Sequence, residues 1–305
     1  MKILVIAPTP YFSDRGCHIR IYEEAKALQA RGYQPVIYTY HLGRTPVGIP
    51  VQRSRRIASY KKISAGPAGL KPFLDILLLW KILRTTKRGQ YRLIHAHLPE
   101  GAAIGIVVRW WLKCPLVIDL QSELVNELQS YGWAKHGIGI IRWFERWLLR
   151  RADWIVTSSD RATAEMLKLD STIQNKLTLL RDGVSRIFSE TNSVNTPIIQ
   201  RSATTIIYAG GMGPAKGFEI FLNALGQLKQ RQLNFSVLCI GPANETIKRS
   251  ATDLGLTHNV TWRAAVPYEK LLPVLALGAI AVDPKPPTTT EGSGKLLNYM
   301  AAGLA

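Results

Sequence analysis

Short apolar runs alternate with amphipathic stretches along most of the chain. "KILVIAP" at the start, "QPVIYTY", "YRLIHAH", "CPLVIDL" and "ADWIVTSS" read as strands. Between them, apolar positions return at helical spacing from Ile19 to Ala30, around Leu74 to Leu83, and from about Ile140 to Arg150. Near-continuous apolar strands separated by helices predict a parallel sheet covered on both faces. "FSETNSVNTPIIQRSA", Phe188 to Ala203, is polar and loses the periodicity, which marks a linker. The alternation then restarts with "TTIIYAGG", a helix from Gly217 to Gln230, "FSVLCIG", a helix near Glu245 to Leu254, "VTWRAAV", a helix near Tyr268 to Leu277, "AIAVDP" and a last helix after Gly292. The pattern predicts an α/β protein of two tandem doubly wound domains, residues 1–187 and 204–305, joined by residues 188–203. Such domains bind ligands in a cleft beyond the carboxyl ends of their strands.

Composition adds little until charge is divided along the chain. The 305 residues are 47% hydrophobic and 20% charged, an ordinary globular balance. Of the formal charge of +18, the stretch to Arg151 holds 24 Lys or Arg against 9 Asp or Glu, and the remainder 15 against 12. The excess belongs to the first half and points to an anionic contact there, unless it is only the charge habit of a basic proteome. Three scattered cysteines without a CxxC pair argue against a zinc or disulfide framework and for a reducing compartment. The apolar start is too short for a signal peptide, and "FLDILLLWKIL" is broken by Asp75 and Lys81, so the expected location is cytoplasmic.

Two stretches of the second half carry candidate chemistry. "YAGGMGPAKGFE" runs a strand into Gly210, Gly211 and Gly213 and then into Lys216, where backbone N–H groups and one lysine could hold a phosphate. It completes neither a P-loop nor GxGxxG, and a glycine-rich turn with a solvated lysine reads equally well. "EGSGKLLNYMAAGLA" places Glu291, Gly292, Ser293, Gly294 and Lys295 at a helix start where anions are favoured. The plainer reading makes Ser293 a helix cap and Glu291 a carboxylate complementing the helix dipole. Two anion-ready helix starts in one domain suit a diphosphate.

These stretches, with "VPYEKLLPVLALGAIAVDP", resemble the donor half of the family 4 retaining glycosyltransferases. The likeness continues through "IHAHLPEGA", "VIDLQSEL", "RRADWIVTSS" and "LLRDGVSRIF" over nearly the whole chain. The resemblance implies the GT-B fold, two facing Rossmann-like domains. It implies that Lys216 faces the donor diphosphate, that Glu291 touches the donor sugar, and that Gly292, Ser293 and Gly294 offer N–H groups to the phosphates. Gly211 stands where the family often has an arginine, and Asn298 where a carboxylate holds the ribose. In the first half, Gly16 matches a glycine that lets backbone approach donor or acceptor. His97 is preferred to His95 because it lies nearer the carboxyl end of their shared strand, and Asp119 resembles the family's strand-end acid near the acceptor; each also reads as a structural residue. The resemblance further implies a chain truncated at its C-terminus, with an incomplete second domain.

The expected activity is transfer of a sugar from a nucleotide-sugar donor to an acceptor with retention, with His97, Asp119 and Glu291 as catalytic residues. No cofactor and no metal are expected, because no acidic pair of the DxD type appears. "RSRRIASYKK", the Leu74 to Leu83 helix and "GIIRWFERWLLRRADW" suggest an anionic membrane surface and a glycan or lipid-linked acceptor, on the inner face of a membrane. The sober alternative puts the Trp143, Trp147 and Leu148 stripe in the core. No nucleic-acid partner is expected, since aromatic interleaving is absent. The competing functions are a nucleotide-sugar epimerase of the same fold and a non-catalytic basic module that binds membrane or nucleic acid.

Overall fold

A computed structural model describes residues 1–13, 16–63, 68–121, 123–130, 137–184, 204–213, 216–285 and 293–305. The expected linker 188–203, Glu291 and Gly292 lie outside the described residues. The chain divides into two compact units, one running through Arg181 and the other beginning at Asp182.

The first unit is built on seven parallel strands: β1 (Lys2–Ala7), β2 (Gln34–Thr39), β3 (Val51–Arg53), β4 (Leu93–His97), β5 (Leu116–Leu120), β6 (Trp154–Thr157) and β7 (Leu177–Leu179). Their order is β3-β2-β1-β4-β5-β6-β7. The helices are α1 (Gly16–Ala30), α2 (Lys71–Thr85), α3 (Leu98–Leu112), α4 (Leu124–Ser130), α5 (Ile138–Arg151) and α6 (Asp160–Leu169). β1 and β4 are adjacent although four chain elements separate them, so the winding reverses there and the loops leaving their carboxyl ends diverge. The strands are apolar because helices cover both faces: Leu4, Ile94, Leu116, Ile118 and Ile155 are fully buried. α2 contributes Leu74, Leu78 and Ile82, four residues apart, to that core. Pro99 opens α3 in its first turn, where a missing N–H costs nothing.

The second unit has four parallel strands: β8 (Thr205–Ala209), β9 (Ser236–Ile240), β10 (Val260–Arg263) and β11 (Ile280–Ala281), ordered β10-β9-β8-β11. Its helices are α7 (Phe218–Gln230), α8 (Glu245–Asp253), α9 (Leu271–Leu275) and α10 (Gly294–Ala301). Phe218, Phe221, Leu222 and Leu225 of α7 pack on Tyr208, Val237 and Cys239 of the sheet. Here the winding reverses between β8 and β11.

The fold class is the α/β arrangement that the alternation predicts, with several local differences. β3 and β7 are three-residue edge strands, too short to show a period of two. The helix expected from Tyr268 to Leu277 is a 3₁₀ turn, Tyr268–Lys270, followed by the five-residue α9. Pro273 sits inside that short segment and removes a backbone donor. Of the stripe on α5, Leu148 is fully buried and Trp147 packs on the core, whereas Trp143 is 62% exposed. Among the described residues no helix is long and apolar enough to cross a membrane.

Candidate functional site

In the first unit a polar cluster gathers at the carboxyl ends of β4 and β5, beside the reversal of winding. His95 and His97 lie on one face of β4, their ring centroids 4.3 Å apart, and His97 pairs in register with Asp119 of β5. α1 supplies Arg20 and Glu24, one turn apart. Arg20 donates from Nε to Asp119 Oδ2 at 2.8 Å, from Nη2 to Oδ1 at 3.2 Å and from Nη1 to the Leu180 carbonyl at 2.9 Å. His97 Nδ1 lies 3.0 Å from the same Asp119 oxygen. Burial alone would raise the Asp119 acid, but the His97 hydrogen bond and the Arg20 charge outweigh it and hold the carboxyl well below the usual range. Burial pushes His95 down to about 3, so its imidazole is neutral.

The loop before α1 is pinned from the helix. Ser13 N–H donates to His18 Nδ1 at 2.9 Å, which leaves the proton on Nε2, 2.6 Å from Thr9 Oγ1. Gly16 begins α1 itself, ahead of the helix expected from Ile19, and a Cβ there would meet nothing within 4 Å.

In the second unit the two anion-ready stretches come together at the reversal between β8 and β11. Gly210 leaves β8 with φ +140, and Tyr208 donates its hydroxyl proton to the Gly211 carbonyl, closing the turn. α10 is tied to the end of β8 by Tyr299, whose hydroxyl accepts from Ala209 N–H at 2.8 Å and donates to the Ala209 carbonyl at 3.4 Å. That tether places Lys295 over the Tyr208 ring, 4.9 Å from its centroid, with its chain against Gly210. Lys295 Nζ donates to Asp283 Oδ1 at 2.6 Å. Burial lowers the Lys295 ammonium, Asp283 raises it, and the charges of Lys216 and Lys285 lower it further, for a net downward shift. Burial raises the Asp283 acid, but hydrogen bonds from Lys295 and Ser293 prevail and hold it down. Lys295 and Lys285 therefore act on one carboxylate at the start of a helix, with Lys216 within electrostatic reach of Lys295, and the helix dipole adds positive potential.

Ser293 occupies the cap position of α10 without capping it: its hydroxyl donates to Asp283 instead. Asn298 Oδ1 accepts from the Tyr268 hydroxyl at 3.4 Å, which leaves its amide nitrogen for other partners. Among the described residues a Cβ at Gly211 or Gly213 would meet nothing within 4 Å, so packing does not require glycine there.

The structure thus brings His97 together with Asp119, and Ser293 and Lys295 together on Asp283, with Gly211 bonded to the Tyr208 that lies beneath Lys295 and Lys216 within electrostatic reach of Lys295. Sequence reasoning missed Arg20 and Glu24, whose only signal is opposite charges at i and i+4 on a helix between two buried strands. It also missed Asp283 and Lys285, which follow the apolar run into β11, and the anchoring tyrosines 208 and 299.

Residues 15–180 match the family described as Glycosyl transferase 4-like domain, and residues 203–305 the one described as Glycosyl transferases group 1. The chain is similar to Alpha-D-kanosaminyltransferase of Streptomyces kanamyceticus, 22% identical over 290 residues, 88% of this chain and 75% of that one. Sucrose-phosphate synthase from Thermosynechococcus elongatus superposes with a TM-score of 0.75 at 17% identity, over 99% of this chain and 79% of that chain. Anabaena HepE, in complex with UDP, superposes with 0.70 at 17% identity, over 100% and 79%. With the first description covering more than half of its length, the chain belongs to the Glycosyl transferase 4-like family, and its fold is that of the GT-B glycosyltransferases.

Proposed function

We propose that the chain transfers a sugar from a nucleotide-sugar donor to a glycan or lipid-linked acceptor, with retention at the anomeric carbon. The observation that carries the reading is that Lys216 and Lys285 lie within electrostatic reach of Lys295 in the first turn of α10, beside a turn whose glycines have open space. A departing diphosphate gains negative charge as the glycosidic bond breaks, and preorganised ammonium and N–H groups stabilise that charge most when water is displaced. This division of labour needs no metal at the diphosphate. Glu291 orients the donor sugar, Gly292 to Gly294 hold the phosphates, and Asn298 meets the ribose through its amide. His97 and Asp119, in the first unit, belong to the acceptor side, and Gly16 lets the backbone approach donor or acceptor. A UDP-type donor is favoured by the likeness to HepE in complex with UDP.

The acceptor side carries a surface suited to an anionic membrane and a cytoplasmic location. Phe73, Ile76 and Trp80 point outward from α2, Trp110 and Trp111 from α3, and Ile140 and Trp143 from α5, all more than 40% exposed. α3 packs against both of the other helices, so the three outward faces adjoin. Arg84 stacks on Trp80 at 5.0 Å, and the net positive charge lies in this half of the chain. Indole rings backed by arginine suit the headgroup layer.

The test is calorimetric titration with UDP, ADP, GDP and their sugars, repeated on Lys216→Ala. One nucleotide should bind, and Lys216→Ala should weaken it by about 1 to 3 kcal/mol, as expected for a charged hydrogen bond. A folded chain that binds none of them refutes the donor site. Proton NMR of the first sugar released or transferred reads the anomeric configuration, and an inverted product removes retention. Co-sedimentation with phosphatidylglycerol vesicles, and not with phosphatidylcholine, supports the membrane surface.

A further inference from the structure

The polar cluster of the first unit contains two nitrogens that its hydrogen bonds leave over. His97 spends Nδ1 on Asp119, which turns Nε2 to the opposite side of the ring. That Nε2 lies in a fully buried side chain and has no hydrogen-bond partner among the described residues; the same holds for the buried Nε2 of His95. Both nitrogens face one atom, Glu24 Oε2, at 3.9 Å and 3.5 Å. The other Glu24 oxygen lies 3.0 Å from Arg20 Nε. Two buried imidazole nitrogens without hydrogen-bond partners are costly, and neither reaches hydrogen-bond geometry with the carboxylate.

A divalent cation resolves both. At metal–ligand distances of about 2.0 to 2.2 Å a tetrahedral ion holds its ligand atoms roughly 3.4 Å apart, so the two nitrogen–oxygen distances of 3.5 and 3.9 Å close by only a few tenths of an ångström. Histidines at i and i+2 of one strand present both Nε2 atoms on one face, and α1 brings the carboxylate from above. The carboxylate of Asp119 on the far nitrogen of His97 is the arrangement that fixes the tautomer and orientation of a ligating imidazole. Asp119 itself is engaged by Arg20 and His97 and stays outside the ligand set, although its carboxylate lies within the same 4.8 Å group. We infer that His95 Nε2, His97 Nε2 and Glu24 Oε2 form a site for a transition-metal cation of the zinc class, with a fourth position open. Imidazole with carboxylate suits such ions better than magnesium or calcium. The site does not rest on the donor reading, because the diphosphate groups belong to the second unit. With the ion in place, His97 acts on the acceptor side as its ligand.

The experiment uses the full chain, stripped with EDTA, dialysed, and titrated calorimetrically with zinc and spectroscopically with cobalt. One ion per chain should bind, and cobalt should give the visible bands of a four- or five-coordinate centre. His95→Ala and Glu24→Gln should each abolish the cobalt bands, and Asp119→Asn should weaken zinc by about 10- to 100-fold. Zinc-edge X-ray absorption on the unaltered chain should count two imidazoles, which keeps the test independent of whether the variants fold. Absence of stoichiometric zinc, affinity unchanged in both ligand variants, or a sulfur neighbour in the absorption spectrum overturns the site. Nucleotide titration of the stripped chain reads the donor site separately and should be unaltered.

Discussion

Asp119→Asn tests whether the cluster of the first unit is held by charge. The carboxylate is fully buried and accepts from Arg20 twice and from His97 once, at 2.8, 3.2 and 3.0 Å. An amide preserves shape but removes the charge, and its single oxygen cannot take all three donors. Arg20 is then left 4% exposed with a reduced counter-charge. Breaking a buried pair from one side costs about 3 to 5 kcal/mol, because the remaining charge stays desolvated. Because the folded carboxyl lies below its unfolded value of about 3.9, this stability is present above that pH and is lost as pH falls toward the folded value. Urea denaturation followed by tryptophan fluorescence at pH 7 and pH 3.5 should show a gap between wild type and variant that narrows at the lower pH. Arg20→Met alone should be costly too, and the double variant should cost less than the sum by about 1 to 3 kcal/mol. A loss below about 1 kcal/mol at pH 7 with additive single changes would refute the argument, and would free Asp119 for a purely chemical role.

Other substitutions probe the second unit and the α2 helix. Gly241→Ala puts a Cβ 2.2 Å from the Gly210 carbonyl oxygen at φ +145, so it should destabilise the unit by more than the roughly 1 to 3 kcal/mol of backbone strain alone and abolish nucleotide binding; a melt within 2 °C of wild type would contradict this. Tyr299→Phe removes both bonds to Ala209, and should cost about 1 to 2 kcal/mol and weaken the donor nucleotide in calorimetry, since α10 loses its tether. Asp75 is pushed up to about 7 by burial, chiefly, with Tyr40 donating to it. Its unfolded form ionises near 3.9, so stability falls as pH rises from about 4 to 7, and Asp75→Asn should raise stability at pH 8 by up to about 4 kcal/mol and change little at pH 4; equal effects at both would refute the burial argument.

The alternation of apolar strands with helices determined the α/β class on its own, because a parallel sheet buried on both faces leaves no other pattern for "KILVIAP" or "PLVID". Glycine before a helix start, as at Gly210 to Gly213 and Gly294, was equally legible, since only local backbone geometry and a missing Cβ are involved. β3, β7 and the broken α9 were not, because segments of three to five residues have no measurable period. Only the tertiary structure decided what the polar residues do. It took Asp119 and His97, legible as strand-end residues, and gave them Arg20 and Glu24, about a hundred positions away in the case of Arg20 and Asp119, as partners. It turned Ser293 from a helix cap into a donor to Asp283, because Tyr299 ties α10 against β8 and carries the hydroxyl to that carboxylate. Local pattern encodes which segments bury their faces; the pairing of charges depends on the winding order of the sheet, which no single segment contains.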